Sequence, residues 1–261
     1  MIKEQRLQYI HENLKKTGMV SIRDLSKYLG VSYMTIWRDL GELEARGWSQ
    51  RIRGGAIKKD TESYVQSLIF PNFDPKNDPQ YDKKVIIARY AVTNLMEDGD
   101  IITIEAGSTT SAMVLFLDKE NLTILTNGLV TTFYAAHLLK KNSVICSGGV
   151  LIDTGAFIGP QAEEFFNHYR VGKAFFSARG LTLQDGFTDP TPLYSQLKCV
   201  MRENAEQIIM LMDSSKFGVR SLIQVMPYDV VDVLVTDQDA PQEIIEGLRQ
   251  RGIDVRIAQA L

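Results

Sequence analysis

At 261 residues, 44% hydrophobic and 23% charged, the chain is long enough for more than one core and too mixed in composition for a fibrous or disordered protein. It shows no apolar run of membrane-span length and no secretory leader pattern. Its formal charge of −3 hides an asymmetry: residues 1–60 hold 12 Lys and Arg against 7 Asp and Glu, net +5, whereas the remainder holds 17 against 25, net −8. A basic head suited to a polyanion therefore precedes an acidic body.

In chain order, Leu7, Ile10 and Leu14 recur at helical spacing and predict a first helix over 2–16, stopped at Thr17-Gly18. Ser21, with Asp24 three residues on, caps a second helix whose buried stripe is Ile22, Leu25 and Leu29. Gly30 turns the chain, and Ser32 caps a third helix running to about Arg46, with Gly47 as its stop. Two short helices joined by a Gly-containing turn match a helix-turn-helix.

On the third helix Ile36, Leu40 and Leu43 fall on one stripe and point inward. Met34, Thr35, Arg38 and Gly41 lie opposite, flanked by Tyr33 and Trp37. A recognition helix enters the major groove by its N-terminal residues, so Asp39, Glu42 and Glu44, which come later, stay clear of phosphates. Arginine pairs with guanine edges, and threonine meets a thymine methyl or a phosphate. Beyond Gly47, Arg51 and Arg53 alternate before the turn Gly54-Gly55, and Lys58-Lys59 follow. This predicts a short basic hairpin, a wing, that holds phosphates or places an arginine in the minor groove.

The pattern Arg6…Ile10, Val20-Ser21, Leu25…Val31-Ser32-x-x-Thr35-Ile36-x-Arg38-Asp39-Leu40…Leu43-Glu44…Gly47, then Arg51-x-Arg53-Gly54-Gly55-Ala56, resembles the DNA-binding head of the DeoR family of bacterial transcriptional repressors. Trp37 stands where that family usually carries a second arginine. The resemblance implies DNA contacts from Arg6, Ser21, Ser32, Tyr33, Thr35, Trp37, Arg38, Arg51 and Arg53. The head is expected over residues 1–59. A connector over 60–83 follows, with Pro71, Pro75 and Pro79 and with Tyr64, Leu68, Ile69, Phe70 and Phe73 as possible anchors.

The body, 84–261, alternates. Helices are expected at 84–96, 108–117, 128–139, 160–169, 194–205 and 242–251. Strands are expected at 101–107, 122–127, 143–149, 173–180, 208–213, 231–237 and 254–258. Such alternation means an α/β domain with a largely parallel sheet. Ligands collect beyond the carboxyl ends of such strands. There the chain carries Gly107-Ser108-Thr109-Thr110, Thr126-Asn127-Gly128, Gly148-Gly149, Arg179-Gly180 and Asp213-Ser214-Ser215-Lys216. Free backbone N–H groups and hydroxyls at a helix start suit a phosphate, and Lys198 and Lys216 are lysines suited to neutralise it.

These stretches, together with Glu105-Ala106, Gly159, Lys173-Ala174-Phe175-Phe176, Asp185-Gly186-Phe187-Thr188 and Phe217-Gly218, look like the DeoR sensor domain, which is similar to the ribose-5-phosphate isomerase fold. The resemblance implies a cytoplasmic regulator of a carbohydrate-metabolism operon that binds double-stranded operator DNA as a homodimer or higher homo-oligomer. A small anionic metabolite, a sugar phosphate or a relative, would be its effector. Ser108, Thr109 and Thr110, with Gly107, would cradle the phosphate and Lys198 would be its counter-charge. Asn127, Gly128, Gly149, Arg179, Asp213 and Lys216 would line the pocket. Glu105 replaces the usual aspartate, and Arg179-Gly180-Leu181 departs from the usual small-residue pattern.

The rival reading is a sugar-phosphate isomerase. Its general base would have to be Asp185 or Asp189, the carboxylates available after the strand at 173–180. His11, His137 and His168 form neither a triad nor a metal pair, and no cofactor is implied. Cys146 and Cys199 lack metal spacing and are expected as buried small hydrophobes.

Overall fold

A computed structural model of the chain describes residues 2–52, 55–58, 78–138 and 141–259. Two compact units emerge, residues 1–78 and 79–261. Among the described residues no helix is long and apolar enough to cross a membrane.

The first unit holds helices α1 (Lys3–Thr17), α2 (Ile22–Leu29) and α3 (Tyr33–Ala45) and strands β1 (Met19–Ser21), β2 (Ser49–Ile52) and β3 (Gly55–Lys58). The caps read from the sequence are in place. Ser21 Oγ accepts from the Asp24 N–H and Ser32 Oγ from the Thr35 N–H, which satisfies donors that a helix start leaves open. Gly30, at φ 64, ends α2 in the left-handed region. Leu7, Ile10, Leu14, Ile22, Leu25, Ile36, Leu40, Leu43 and Ala56 form the core, each large side chain contributing about 1.5–3 kcal/mol by leaving water. Leu29, expected within the stripe, is only half-buried against it.

The wing is a hairpin of β2 and β3, and β1 joins it in the order β1-β3-β2. Strand β1 has no sequence signal of its own, being three residues between two helices. It exists because β3 offers an edge to pair with. Arg53 and Gly54, and the expected anchors Tyr64 to Phe73, lie outside the described residues.

The second unit opens with α4 (Tyr81–Leu95), which starts three residues before the helix expected at 84. Its sheet comprises β4 (Ile101–Ile104), β5 (Thr123–Thr126), β6 (Ser143–Cys146), β9 (Val171–Phe176), β12 (Ala205–Leu211), β14 (Val233–Asp237) and β15 (Asp254–Ala258). The order is β15-β14-β12-β9-β4-β5-β6, all neighbours parallel. Both sheet faces are covered, so the strands read as continuous apolar runs. Phe176, Met210 and Leu234 pack with Phe166 of α7 (Pro160–Asn167), Leu197 of α8 (Pro192–Glu203) and Leu248 of α9 (Gln242–Arg249). The alternate residues Phe175, Ile209 and Val235 are equally buried.

Residues 108–117 form one α turn, α5 (Ser108–Ser111), and then a 3-10 helix over Ala112–Phe116 rather than one helix. The helix expected over 128–139 is α6 (Leu129–Leu138). A hairpin, β7 (Val150–Leu151) with β8 (Phe157–Ile158), was not foreseen. Nor was a small antiparallel sheet of β10 (Gly180–Thr182), β11 (Gly186–Asp189) and β13 (Ile223–Met226). Cys146 and Cys199 are free and half-buried, not fully buried as expected.

Candidate functional site

In the first unit the outward face of α3 carries Tyr33, Met34, Trp37 and Arg38, all exposed. Asp39 and Leu40 follow on the buried side, which sets the rotation of the helix. Thr35 is half-buried, and its hydroxyl stands 2.9 Å from that of Ser32, so the two belong to the helix cap. Glu42, the carboxylate nearest the outer face, is neutralised by Lys3 at 2.5 Å and Arg46 at 2.7 Å. Its pKa is lowered by hydrogen bonds from those two side chains.

One expectation is corrected here. Arg6 does not face outward: it is buried, with Nε 2.5 Å from Asp39 Oδ2 and Nη2 3.0 Å from Oδ1. This two-pronged pair, sealed between α1 and α3, removes both charges from the surface. Arg51, expected as a wing contact, is held by Glu44 and stays partly exposed. Its backbone N–H donates to Glu44 Oε1 at 2.8 Å and its Nε to Oε2 at 2.6 Å. Its guanidinium lies 4.8 Å from the centre of the Trp37 ring. Ser21 is committed to capping α2.

In the second unit the strand order fixes the site. From β4 the chain proceeds to β5 and β6 on one side; β9 lies on β4's other side and leads to β12, β14 and β15. The switch point between β4 and β9 is where an open α/β sheet leaves a crevice. Glu105 to Ser108 leave β4 there, and Ser177 to Arg179 leave β9.

At this switch point lies a buried polar network. Glu105 Oε2 accepts from the Ser177 N–H at 3.1 Å, and Oε1 accepts from the Tyr194 hydroxyl and lies 3.2 Å from Lys198 Nζ. Lys198 Nζ donates to Ser177 O and to Asp189 Oδ2, both at 2.5 Å; Asp189 Oδ1 accepts from the Arg179 N–H at 2.7 Å. Burial pushes the Glu105 carboxyl up, against the pull of Lys198. Burial works to lower the Lys198 pKa, but the fields of Glu105 and Asp189 raise it overall. Lys198 is thus corrected as well: its charge is answered internally by two carboxylates, so it is not a spare cation awaiting a phosphate.

Lys216 is placed differently. It sits in a 3-10 turn after β12 (Ser214–Lys216), with Nζ 2.7 Å from Ser177 Oγ and 3.9 Å from Asp213 Oδ2. Burial lowers its pKa to about 8, opposed by Asp213 and assisted by the repulsion of Lys84 and Lys198.

The remaining expected residues divide between scaffold and rim. Thr110 Oγ1 donates to Glu105 O at 2.7 Å and shapes the loop. Asn127 ties β4 to the β7–β8 hairpin, accepting from the Ala106 N–H at 2.8 Å and donating to Phe157 O at 3.2 Å. The Gly128 N–H donates to Thr126 Oγ1 at 2.9 Å. Gly149 has φ +108, and a Cβ there would stand 2.7 Å from Ile158 O, so its presence is a backbone requirement. Asp213 Oδ1 accepts from the Ser215 N–H at 3.2 Å, and its Oδ2 is buried without a hydrogen-bond partner. Thr109 Oγ1 is likewise buried and unpaired. Gly107 and Ser108 are half-buried, and Arg179 is exposed.

Ser177 and Tyr194 were missed. Ser177 meets Glu105, Lys198 and Lys216, yet no spacing in the sequence links those positions. Among the described residues no His, Cys, Asp and Glu cluster is placed to hold a metal.

A family model described as the DeoR C terminal sensor domain matches residues 79–238, and one described as the DeoR-like helix-turn-helix domain matches residues 6–62. The chain is 31% identical to the HTH-type transcriptional regulator IolR of Bacillus subtilis, over 98% of this chain and 100% of that protein. It is 31% identical to a putative aga operon transcriptional repressor of Escherichia coli O157:H7, over 96% and 92%. Among solved structures, the probable sor operon regulator from Shigella flexneri is matched at TM-score 0.44 and 14% identity, over 64% of this chain and 87% of that one. Ribose 5-phosphate isomerase A from Methanocaldococcus jannaschii is matched at TM-score 0.36 and 18% identity, over 53% and 55%.

Proposed function

We propose a mechanism that proceeds from one premise: the chain belongs to the DeoR family of helix-turn-helix transcriptional regulators. It is a DNA-binding regulator of transcription, and we read it as a cytoplasmic repressor of a carbohydrate-metabolism operon. The first unit binds operator DNA through α3, with Arg38 as its base-reading side chain. A recognition helix covers a half-site, so the working form is a homodimer or a higher homo-oligomer.

The second unit binds a small anionic metabolite, a phosphorylated sugar or a relative, at the switch point. The observation that carries this reading is Lys216, an ammonium beside the Ser177 hydroxyl at the crevice end of β9. Gly107, Ser108 and Thr109 supply backbone and hydroxyl donors from the β4 side, and Lys216 replaces Lys198 as counter-charge. Anion binding there biases the placement of the heads and weakens operator affinity. By linkage the operator weakens anion binding by the same factor.

The isomerase reading is disfavoured by the environment of its candidate bases. Asp185 accepts from the Thr182 hydroxyl at 3.0 Å and lies 3.2 Å from Arg220, while Asp189 is buried against Lys198. Neither stands ready to take a carbon-bound proton, which supports binding without turnover.

The test is a panel of sugar phosphates and free sugars screened by thermal shift on the full chain, followed by operator titration at fixed salt. A compound that persists and changes operator affinity supports the regulator; one that is consumed supports the enzyme. Arg38→Ala is expected to weaken operator binding by about 1–3 kcal/mol if Arg38 pairs with a base. Unchanged binding refutes that role.

A further inference from the structure

The outward face of α3 is more apolar than a solvated helix needs to be. Tyr33 is 57% exposed, Met34 60% and Trp37 39%. With Arg38 they occupy positions i, i+1, i+4 and i+5, side by side over a turn and a half. Large apolar side chains gathered on one exposed face mark a partner. The net +5 of residues 1–60 and the exposed guanidinium of Arg38 at the edge of the patch make that partner a polyanion. A polyanion that also offers apolar knobs is duplex DNA, whose major groove displays the C5-methyl group of thymine.

We propose that Tyr33, Met34 and Trp37 are specificity-determining residues that read thymine methyl groups in the major groove, on base pairs adjoining the one met by Arg38. The proposal rests on the DNA-binding reading above and narrows its ligand to half-sites carrying thymine at those places. One helical turn advances about 5.4 Å and one base pair about 3.4 Å, so side chains a turn apart reach base pairs within two steps of each other.

The wing holds Trp37 for this task. One side of its ring carries the Arg51 guanidinium at 4.8 Å, and Arg51 is fixed in turn by its two hydrogen bonds to Glu44. Gly41, one turn beyond Trp37, leaves room for the stack, since a Cβ there would lie 3.3 Å from Arg51 Nη1. An indole already held in place need not be immobilised on binding, which preserves the affinity its contact contributes. Arg51 is the positioning residue of this arrangement.

The experiment selects operator duplexes from a random library with the full-length protein, then replaces each thymine in turn by uracil. That exchange keeps every hydrogen-bonding group and removes only the methyl. Fluorescence anisotropy at fixed salt is expected to show about fourfold weaker binding for each methyl that these side chains bury. Trp37→Ala and Met34→Ala proteins are expected to bind thymine and uracil duplexes alike at the position each side chain covers.

Equal affinity of the unaltered protein for thymine and uracil at every position overturns the proposal. So does a drop in oligomer mass by light scattering for the Tyr33→Ala, Met34→Ala and Trp37→Ala proteins, which would assign the patch to a contact between copies of the chain. Failure to bind any duplex refutes the DNA-binding reading itself, and is distinguishable because no selection then succeeds.

Discussion

Asp39→Ala tests the claim that the first unit is locked by a buried ion pair. The change leaves the Arg6 guanidinium sealed from solvent without the carboxylate that holds it at 2.5 and 3.0 Å. Removing one partner of a buried pair costs about 3–5 kcal/mol. A unit spanning residues 1–78 has roughly 4–12 kcal/mol of stability in total, at about 0.05–0.15 kcal/mol per residue. At about 4–8 °C per kcal/mol for a domain this small, the unit should melt at least about 12 °C lower. Both tryptophans of the chain, Trp37 and Trp48, lie in this unit, so the thermal transition of tryptophan emission reports it selectively. A shift below about 3 °C would refute the reasoning, since the quoted cost could not then be present. The double change Arg6→Met with Asp39→Leu separates charge from packing, because it leaves nothing ionic buried and should recover most of the loss. A double variant as unstable as the single one would assign the effect to packing.

Three further outcomes are expected. With Lys216 titrating near 8, calorimetric binding of a sugar phosphate should weaken from pH 7 to pH 9, and Lys216→Arg should flatten that profile; identical profiles would exclude Lys216 as counter-charge. The same lowered pKa acts on stability with the opposite sign: the unfolded chain holds the proton between about 8 and 10.5, so this group's contribution improves as pH rises through that window. Lys198→Met strands Glu105 and Asp189 and should destabilise the second unit by about 3–5 kcal/mol at pH 7. Because a stranded buried carboxylate titrates above its unfolded value, the deficit should narrow on acidification as it takes a proton, and urea titrations giving the same deficit at pH 7 and 5 would refute the charge account. Gly149→Ala forces a Cβ to 2.7 Å from Ile158 O at φ +108 and should cost about 1–3 kcal/mol or more, with an unchanged far-ultraviolet melting curve as the refuting result.

The elements whose signal is local were legible. Capping hydroxyls at Ser21 and Ser32, the stripe Ile36, Leu40 and Leu43, and the apolar runs of β4, β5, β12 and β14 each announce themselves within a few residues. What escaped depends on partners distant in the chain. Strand β1 exists only against β3, and β11 only between β10 and β13. The site divides on the same line. Gly107 to Thr110 were visible as a strand–glycine–hydroxyl run, but the role of Lys198 was misjudged because its partners Glu105 and Asp189 come from different elements. Arg6 was misplaced for a similar reason: a basic residue in a basic head reads as surface, and only packing shows that Asp39 draws it inward. Trp37, noted as a departure from the family pattern, acquires a meaning only once Arg51 is seen stacked upon it.

The reversal of strand order at β4 and β9 has a consequence for how the protein matures. Glu105 and the Ser177 amide that it grips are 72 residues apart, so a ribosome has long since released the first wall of the crevice when it makes the second. Lys198 and Lys216 emerge later still. A nascent chain stalled before Ser177 thus carries the whole helix-turn-helix head but only one wall of the switch point. During that interval the Glu105 carboxylate lacks both its amide and its lysine, and the network closes only after Lys198 and Lys216 have followed the central strand.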